Sequence, residues 1–476
     1  MLLIFLFTLL SAQLRAQTDV WATAYYAGWM QGWNNNGHLT AEEIDYSAVT
    51  HIVHFALVPK ADGTLNADAN SILEINSSEL ITRAHAEGKK VLISIGGWNS
   101  NVGFRGAASS INLPIFVNNL VNFMISRGYD GIDIDWEPLH SSDAILYTAL
   151  ITALRTALDA ITPKPLLTAA VGWEPEIIAQ VHQHFDQINI MTYDFSGAWP
   201  GWVTWHNSPV YDGGFLFPST NNAPPSANDR IDRFLAAGVP AGKLGIGIDF
   251  YGYVWSGGSG TSTDGVTQPR QTWTTAPSVQ GNVPYYTIME EYYQPQYYMW
   301  DDGPKGAYLG IDNSGAANDK FISYDDESSV QAKFDYARSK GIGGLIIWEL
   351  GGGYRPNQPE GERDILLQSV KTALYGGATS NNENNGGIPM QFSLKQNYPN
   401  PFNPTTTIEF SLAIGVHVQL EIYNMIGEKI ATLINENLNA GVHKVTRDAS
   451  AMSSGTYVYQ LRSGEHLISK KMILLK

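Results

Sequence analysis

The 476-residue chain is long enough for a large α/β domain and a smaller one, and its 44% hydrophobic content supports a substantial core, which excludes a disordered protein. The net charge of −16 argues against a nucleic-acid partner or an anionic-membrane surface, so the expected substrate is neutral or cationic. The absence of cysteine excludes disulfides, thiolate nucleophiles and thiolate metal sites.

Residues 1–17 have the features of a secretory signal peptide. An apolar run over residues 2–10 leads into a short segment that contains Ser11, Ala12 and Ala16, although a basic start is missing. The run is too short to cross a bilayer as a helix. We therefore predict that residues 1–17 are removed and that the protein is secreted.

Short apolar strands alternate with amphipathic helices from residue 20 to about 374. The predicted strands are 21–27, 51–57, 90–95, 131–137, 166–171, 187–192, 244–250 and 344–348, and the helical signals are 79–87, 113–126, 143–161, 227–237 and 328–339. Eight strands with intervening helices predict an α/β catalytic domain, a (β/α)₈ TIM barrel, over residues 18–375. In that fold, chemistry takes place at the carboxyl ends of the strands.

The predicted fourth strand carries acidic side chains in an otherwise apolar segment. Because side chains alternate along a strand, Asp133, Asp135 and Glu137 share one face; we call them the carboxylate column. Three like charges on a half-buried face repel unless some carry protons. We interpret the column as a relay that raises the pKa of Glu137, the expected proton donor. The alternative is an acidic edge strand that faces water or a cation.

The column also suggests a type of catalysis. A glycosidase normally uses two separated carboxylates, whereas carboxylates that follow one another on one strand suit substrate assistance, in which the 2-acetamido oxygen of the sugar attacks the anomeric carbon. Glu137 would protonate the glycosidic oxygen and then activate water, and Asp135 would orient the acetamide. Tyr193 could hydrogen-bond the acetamide, and Trp348 could form the pocket floor.

Polar and aromatic residues cluster where other predicted strands end, and two more aromatic residues lie within the first two strands at positions that could point inward. Any one of them could be ordinary barrel core, so their coincidence with strand ends is the evidence. The predicted substrate-binding residues are Tyr25, Phe55, Ser94, Gly97, Trp98, Met191, Asp194, Tyr251 and Trp348.

Two further regions follow the seventh predicted strand. The segment between it and the eighth is too long for one helix, so we predict a small α+β insertion over about 252–325, whose aromatics form either the core of the insertion or a wall of the cleft. Residues 376–392 read as a flexible linker. Residues 393–476 are predicted to form a small C-terminal β-sandwich with strands at 405–412, 418–423, 429–433, 442–445, 455–462 and 469–475.

Residues 20–374 resemble glycoside hydrolase family 18, the chitinases. Asp130-Gly-Ile-Asp-Ile-Asp-Trp-Glu137 is similar to the DxxDxDxE strand of the family, Ser94-Ile-Gly-Gly97 to its SxGG strand, and Met191-Thr-Tyr-Asp194 to its sixth-strand motif. The resemblance implies hydrolysis of chitin or N-acetylglucosamine oligosaccharides and an insertion of the deep-cleft subgroup. Its implied catalytic relay is the carboxylate column, and the residues implied to line the acetamido-sugar subsite are Ser94, Met191, Tyr193, Asp194 and Trp348.

One departure from the family concerns the segment after the seventh strand. Many members have Tyr-Gly-Arg there, whereas this chain has Tyr251-Gly-Tyr253. A guanidinium contact to the sugar is therefore not expected.

The tail resembles the C-terminal sorting domain of proteins exported by type IX secretion. The segments that carry this resemblance are 397–405, 422–427, 454–457 and 471–476. It implies that the type IX machinery is a partner, that the protein crosses an outer membrane and that the tail is removed. A generic sugar-binding sandwich is the alternative.

Two other functions remain open, a non-hydrolytic chitin-binding lectin and an endo-β-N-acetylglucosaminidase that acts on glycoprotein glycans. No metal or cofactor is predicted, because His182 and His184 diverge on a helix and His51 and His54 face opposite sides of a strand. We expect a monomer and no nucleic-acid partner.

Overall fold

The computed structural model describes residues 20–31, 38–375, 393–394, 397, 400, 402–412, 416–424, 427–438, 441–450, 452–463 and 466–475. The chain divides into two compact units, Met1–Gly377 and Ala378–Lys476. The predicted signal peptide and linker lie outside the described residues. In the part of the chain that is described, every helix is too short or too polar to cross a bilayer.

The first unit contains a closed barrel of eight parallel strands. They are Trp21–Ala27, His51–Pro59, Lys90–Gly97, Gly131–Trp136, Leu166–Val171, Gln187–Ile190, Leu244–Asp249 and Gly344–Trp348. Each strand pairs in parallel with the next, and the first strand also pairs with the eighth, which closes the barrel. The predicted (β/α)₈ fold is thereby confirmed. A two-residue strand, Leu65–Asn66, pairs with the end of the second strand.

Helices cover the outside of the barrel. The α-helices are Glu74–Ala86, Asn101–Ala107, Leu113–Arg127, Ala144–Asp159, Pro175–Val181, Ala227–Ala236, Glu327–Lys340, Leu350–Gly353 and Ile365–Tyr375. Several ends follow from local sequence: the hydroxyl of Ser226 accepts a hydrogen bond from the backbone N–H of Asp229, and Gly128 ends its helix with φ 83°. Short 3₁₀ turns are Gly28–Met30, Tyr46–Ala48, Ser141–Asp143, His182–His184, Ala241–Lys243 and Ala316–Asn318.

The predicted insertion is an antiparallel sheet between the seventh and eighth barrel strands. Its strands, in spatial order, are Ser278–Pro284, Tyr251–Ser256, Lys320–Tyr324, Gly306–Ile311 and Tyr298–Asp301, and a helical segment covers Tyr285–Tyr292. Trp255 is fully buried against Val266 and Phe321, with Trp273 packed on this group. Tyr297, Tyr298 and Trp300 pack against the main core, so these five aromatic residues of the insertion contribute to apolar cores rather than to a wall of the cleft.

The second unit is a small β-sandwich, as predicted. One sheet orders Ser393–Leu394, Thr405–Leu412 and Gly441–Asp448, and the other orders Lys429–Leu438, Val416–Asn424, Gly455–Ser463 and His466–Leu474, all antiparallel. Alternate residues of both sheets, such as Phe410 and Tyr459, are buried in one shared core.

Candidate active site

The fourth barrel strand turns the carboxylate column toward the inside of the barrel. The apolar residues that alternate with the column pack outward against the helices, where the indole of Trp136 stacks on Phe104 at 4.6 Å and 7°. The alternation buries Asp133 and Asp135 inside the barrel and leaves Glu137 just beyond the end of the strand.

Asp133 is held by three hydroxyl groups from neighbouring and opposite strands. Thr168 donates to its Oδ1 at 2.6 Å, and Ser94 and Tyr25 donate to its Oδ2 at 3.0 and 3.1 Å. Burial raises the pKa of Asp133 to about 6, against the lowering effect of these hydrogen bonds. The partners are all neutral, so its charge is not balanced by a cation at these contacts.

Asp135 and Glu137 interact directly above Asp133. Burial raises the pKa of Asp135 well above its ordinary value, and the charges of Glu137 and Asp133 raise it further. Burial also raises the pKa of Glu137 to about 7; the charge of Asp194 adds to this, while a hydrogen bond from Asp135 opposes it. The two carboxyl groups thus share a proton, and within the described residues Oδ1 of Asp135 has no hydrogen-bond partner.

Asp194 follows the sixth strand and lines the same cavity as Glu137. Its backbone is left-handed, with φ 60°, and its N–H donates to Oδ1 of Asn207 at 3.2 Å. Its Oδ1 accepts hydrogen bonds from the hydroxyls of Tyr251 at 2.7 Å and Tyr253 at 3.0 Å. Tyr253 therefore places a neutral phenol on Asp194.

Aromatic rings from the first, second and eighth strands form an apolar floor. The ring of Trp348 is perpendicular to Phe55, with centroids 4.7 Å apart, and its centroid is 5.6 Å from that of Tyr25. Trp29 packs edge-on against Phe55 at 5.9 Å. An apolar floor of this kind suits the C–H face of a sugar ring.

These groups surround a cavity of about 720 Å³. The predicted site residues that line it are Tyr25, Phe55, Trp98, Asp135, Glu137, Met191, Tyr193, Asp194 and Trp348. The other four predicted residues are buried and are not lining residues: Asp133, Ser94, Gly97 and Tyr251. Ser94 and Tyr251 support carboxylates, and at Gly97 (φ 98°) a Cβ would meet the ring of Phe55 at 2.7 Å.

Several lining residues are absent from the predicted set. Trp173 and Trp199 are 58% and 46% exposed on the cavity wall, and Trp29, Arg230 and Tyr253 also line it. Trp173 follows the fifth strand by two residues, so the strand-end rule could have identified it. Arg230 lies on a helix, and no local signal in the sequence marks it.

The arrangement offers acid–base chemistry at the cavity wall. Glu137 combines a pKa near neutrality with access to the cavity, which is what a proton donor requires. Among the residues described, no cluster of three or more histidine, aspartate or glutamate side chains is arranged to hold a metal ion.

Each of the two units matches a known protein family. Residues 22–353 match the profile of Glycosyl hydrolases family 18, and residues 396–475 match that of the Secretion system C-terminal sorting domain. Chitinase A1 of Niallia circulans is 31% identical over 411 residues, which cover 79% of this chain and 54% of that protein. Chitinase 1 of Aphanocladium album is 27% identical over 339 residues, 64% of this chain and 76% of that protein.

Solved structures agree on the fold. The Ostrinia furnacalis Group IV chitinase in complex with allosamidin covers 75% of this chain and 100% of that chain, with a TM-score of 0.64 and 23% identity. The immunomodulatory active chitinase of Trichuris suis gives a TM-score of 0.63 at 24% identity, with 75% of this chain and 100% of that chain covered.

Proposed function

The chain belongs to glycosyl hydrolase family 18, and from this premise we propose that it hydrolyses the β-1,4 bonds of chitin or chitooligosaccharides with retention of configuration. The observation that supports the proposal is the carboxylate column, which ends at the wall of a cavity with an aromatic floor. Relatives such as Chitinase A1 carry the name of this activity.

Before the first step, the proton that Asp135 and Glu137 share passes to Glu137, which leaves Asp135 ionised. Glu137 then gives this proton to the glycosidic oxygen. The C1–O bond breaks as the acetamido oxygen of the same sugar attacks C1 from the opposite face, which forms a cyclic oxazolinium. Asp135 accepts a hydrogen bond from the acetamide N–H and offsets the developing positive charge, and Tyr193 hydrogen-bonds the acetamide. The sugar lies on the floor of Trp348.

In the second step, Glu137 is a carboxylate and takes a proton from the attacking water. The water oxygen bonds to C1, the ring of the oxazolinium opens, and the acetamide is restored. Two inversions at C1 give net retention. Asp133 stays beneath Asp135 as a second negative charge, held by its three hydroxyl donors.

The test is the turnover of a chromogenic chitobioside by the Glu137→Gln variant. We expect kcat/KM to fall at least ~100-fold, because the amide is isosteric but donates no acidic proton. Glu87→Gln is the matched control and should retain activity, because Glu87 is exposed and does not line the catalytic cavity. Undiminished turnover in Glu137→Gln would rule out the proposed acid.

The two alternative functions give different outcomes in the same assays. Tight binding of chitooligosaccharides without turnover would favour the lectin. Preferential release of glycans from a high-mannose glycoprotein, compared with release from chitin, would favour the endo-β-N-acetylglucosaminidase. The presence of all three members of the column favours hydrolysis over a lectin.

The sorting domain directs the protein out of the cell or to its surface. We further infer that residues 1–17 are cleaved as a signal peptide, that type IX machinery recognises residues 393–476, and that residues 18–375 act as a monomeric catalytic domain joined to the tail through residues 376–392. The intact mass of the secreted protein would show whether residues 1–17 are absent and whether the tail remains attached, and a retained N terminus would contradict the first of these inferences.

A further inference from the structure

Trp173 connects the catalytic cavity with its neighbour. It lies just after the fifth barrel strand and is 58% exposed. It lines the catalytic cavity and also a neighbouring cavity of about 960 Å³, as do Trp199 and Asp194. The two cavities are therefore adjacent at a wall that carries two exposed indoles. Tryptophan is highly buried on average, and neighbouring exposed apolar side chains around a cavity are typical of a binding site.

A buried arginine fixes the indole of Trp173 from behind. Arg230, on helix Ala227–Ala236, places its guanidinium carbon 3.1 Å from the centroid of the Trp173 ring and 5.0 Å from that of Phe195. Its Nη1 donates to the carbonyl oxygen of Gly172 at 2.5 Å. One face of the indole is thus covered by a cation, while the rest of the side chain remains open to the cavities.

The environment of Arg230 is unusual for a buried cation. Arg230 is only 3% exposed, and within the described residues no carboxylate lies within ion-pair distance of it, since the adjacent Asp229 pairs with Arg233 at 2.9 Å. A buried cation without a counter-ion is costly. Here the rings of Trp173 and Phe195 and the carbonyl of Gly172 take the place of a counter-ion. The cation–π contact with Arg230 in turn holds the indole of Trp173 in position.

The barrel geometry indicates which part of a substrate would reach Trp173. The aromatic floor of Trp348, Phe55 and Tyr25 comes from the eighth, second and first strands, whereas Trp173 and Trp199 follow the fifth and sixth, across the barrel mouth. Glu137 follows the fourth strand, beside the fifth. A polysaccharide whose attacked sugar lies on the floor would pass Glu137 before it reaches Trp173.

We propose, on the basis of the proposed function, that Trp173 is a stacking platform for the N-acetylglucosamine units that leave the catalytic cavity on the side of Trp199, and that Arg230 is the positioning residue that holds its indole. The open surface of the indole contacts the C–H face of the sugar ring. Substrates that extend past Glu137 by several units depend on this platform, and short substrates depend on it less.

The test compares chitohexaose with a chromogenic chitobioside. For Trp173→Ala, the ratio of kcat/KM for chitohexaose to kcat/KM for chitobioside should fall about tenfold. For Trp173→Phe, which keeps an aromatic ring, the same ratio should fall less. Arg230→Met should lower the same ratio about threefold through a higher KM, because the indole loses its cation. Arg338→Met is the control: it removes an arginine 5.7 Å from the ring of Phe334 on an outer helix and should leave the ratio unchanged.

Three results would overturn the inference. An unchanged ratio in Trp173→Ala would show that Trp173 is not a stacking platform. An equal loss of kcat/KM on both substrates would assign Trp173 a general structural role. An unchanged ratio in Arg230→Met would remove the positioning role of the arginine.

Binding measurements separate this inference from the proposed function. Calorimetry of chitohexaose with Glu137→Gln, and with Glu137→Gln combined with Trp173→Ala, requires no turnover. About tenfold weaker binding in the double variant would support the platform even if the wild-type protein hydrolysed nothing. Equal affinity of the two variants would overturn the platform whatever the turnover.

Discussion

Two groups of buried carboxylates lie in the same barrel and differ in what balances their charge. The carboxylate column contacts hydroxyl groups and its own members, and it opens to the catalytic cavity. The second group, which we call the lysine cluster, consists of Asp249, Asp325 and Lys333 and is closed off by burial. Proximity of carboxylates is common to both, so it does not by itself make an acid catalyst.

The lysine cluster joins the seventh strand to helix Glu327–Lys340. Nζ of Lys333 contacts Oδ2 of Asp325 and lies 3.3 Å from Oδ1 of Asp249. The other oxygen of Asp249 accepts a hydrogen bond from Asn207 at 2.5 Å, and Asn207 in turn holds the backbone of Asp194. A fixed ammonium makes this cluster structural. In the column, no ammonium balances the carboxylates, and the carboxyl groups share a proton instead. A proton held in this way can be donated to a substrate, which suits an acid catalyst.

The largest expected effect comes from removal of that ammonium. Lys333→Met would leave Asp249 and Asp325 buried without their cation, and we expect the free energy of unfolding of the barrel to fall by about 3–5 kcal/mol at neutral pH. All 13 tryptophans precede residue 376, so tryptophan fluorescence in a urea titration reports the barrel alone.

Lys340→Met is the matched control for this change. Lys340 pairs with Asp232 at 2.8 Å, but both side chains are more than a third exposed, so the loss should be below about 1 kcal/mol. Equal destabilisation by the two substitutions would contradict the role assigned to Lys333.

In the carboxylate column, by contrast, removal of a charged group should increase the free energy of unfolding, because the buried negative charges repel one another. The pKa of Asp133 is raised to about 6, so its stabilising contribution is complete below about pH 4 and is lost as the pH rises through 6. Between pH 4 and 7, Asp133→Asn should gain up to roughly 3 kcal/mol in unfolding free energy relative to the wild type. The measurement is the same urea titration at each pH, and a difference that stays constant with pH would refute the expectation.

A smaller effect should follow from a cation placed beside the column. Glu137 must hold its proton, so activity should decline as the pH rises through about 7, and the charge of Asp194 contributes to that pKa. In Tyr253→Arg the guanidinium would neutralise Asp194 and move the alkaline limb of the kcat/KM profile toward acid by up to about one pH unit. Tyr253→Phe adds no charge and should move it less. A shift of the arginine variant toward alkaline pH would contradict this account.

Much of the fold follows from local patterns. The eight barrel strands and the β-sandwich follow from periodicity, and the insertion follows from the length of the segment between the seventh and eighth strands; the structure confirms that architecture. Helix starts were harder: the helix Glu74–Ala86 begins after Leu73 without a side-chain cap, so the predicted segment 79–87 lacks its first turn. Helices Asn101–Ala107, Pro175–Val181, Leu350–Gly353 and Ile365–Tyr375 match none of the predicted helical segments.

The sequence by itself determined which side chains share a face of the fourth strand, because alternation acts over neighbouring residues. It also carried the motifs of both units. Only the tertiary structure decided that Tyr253 contacts Asp194, that Arg230 lies under Trp173 and that Lys333 reaches Asp249. These partners are far apart in the chain, and their meeting depends on how the barrel closes and how its helices and insertion pack around it, which local periodicity does not encode.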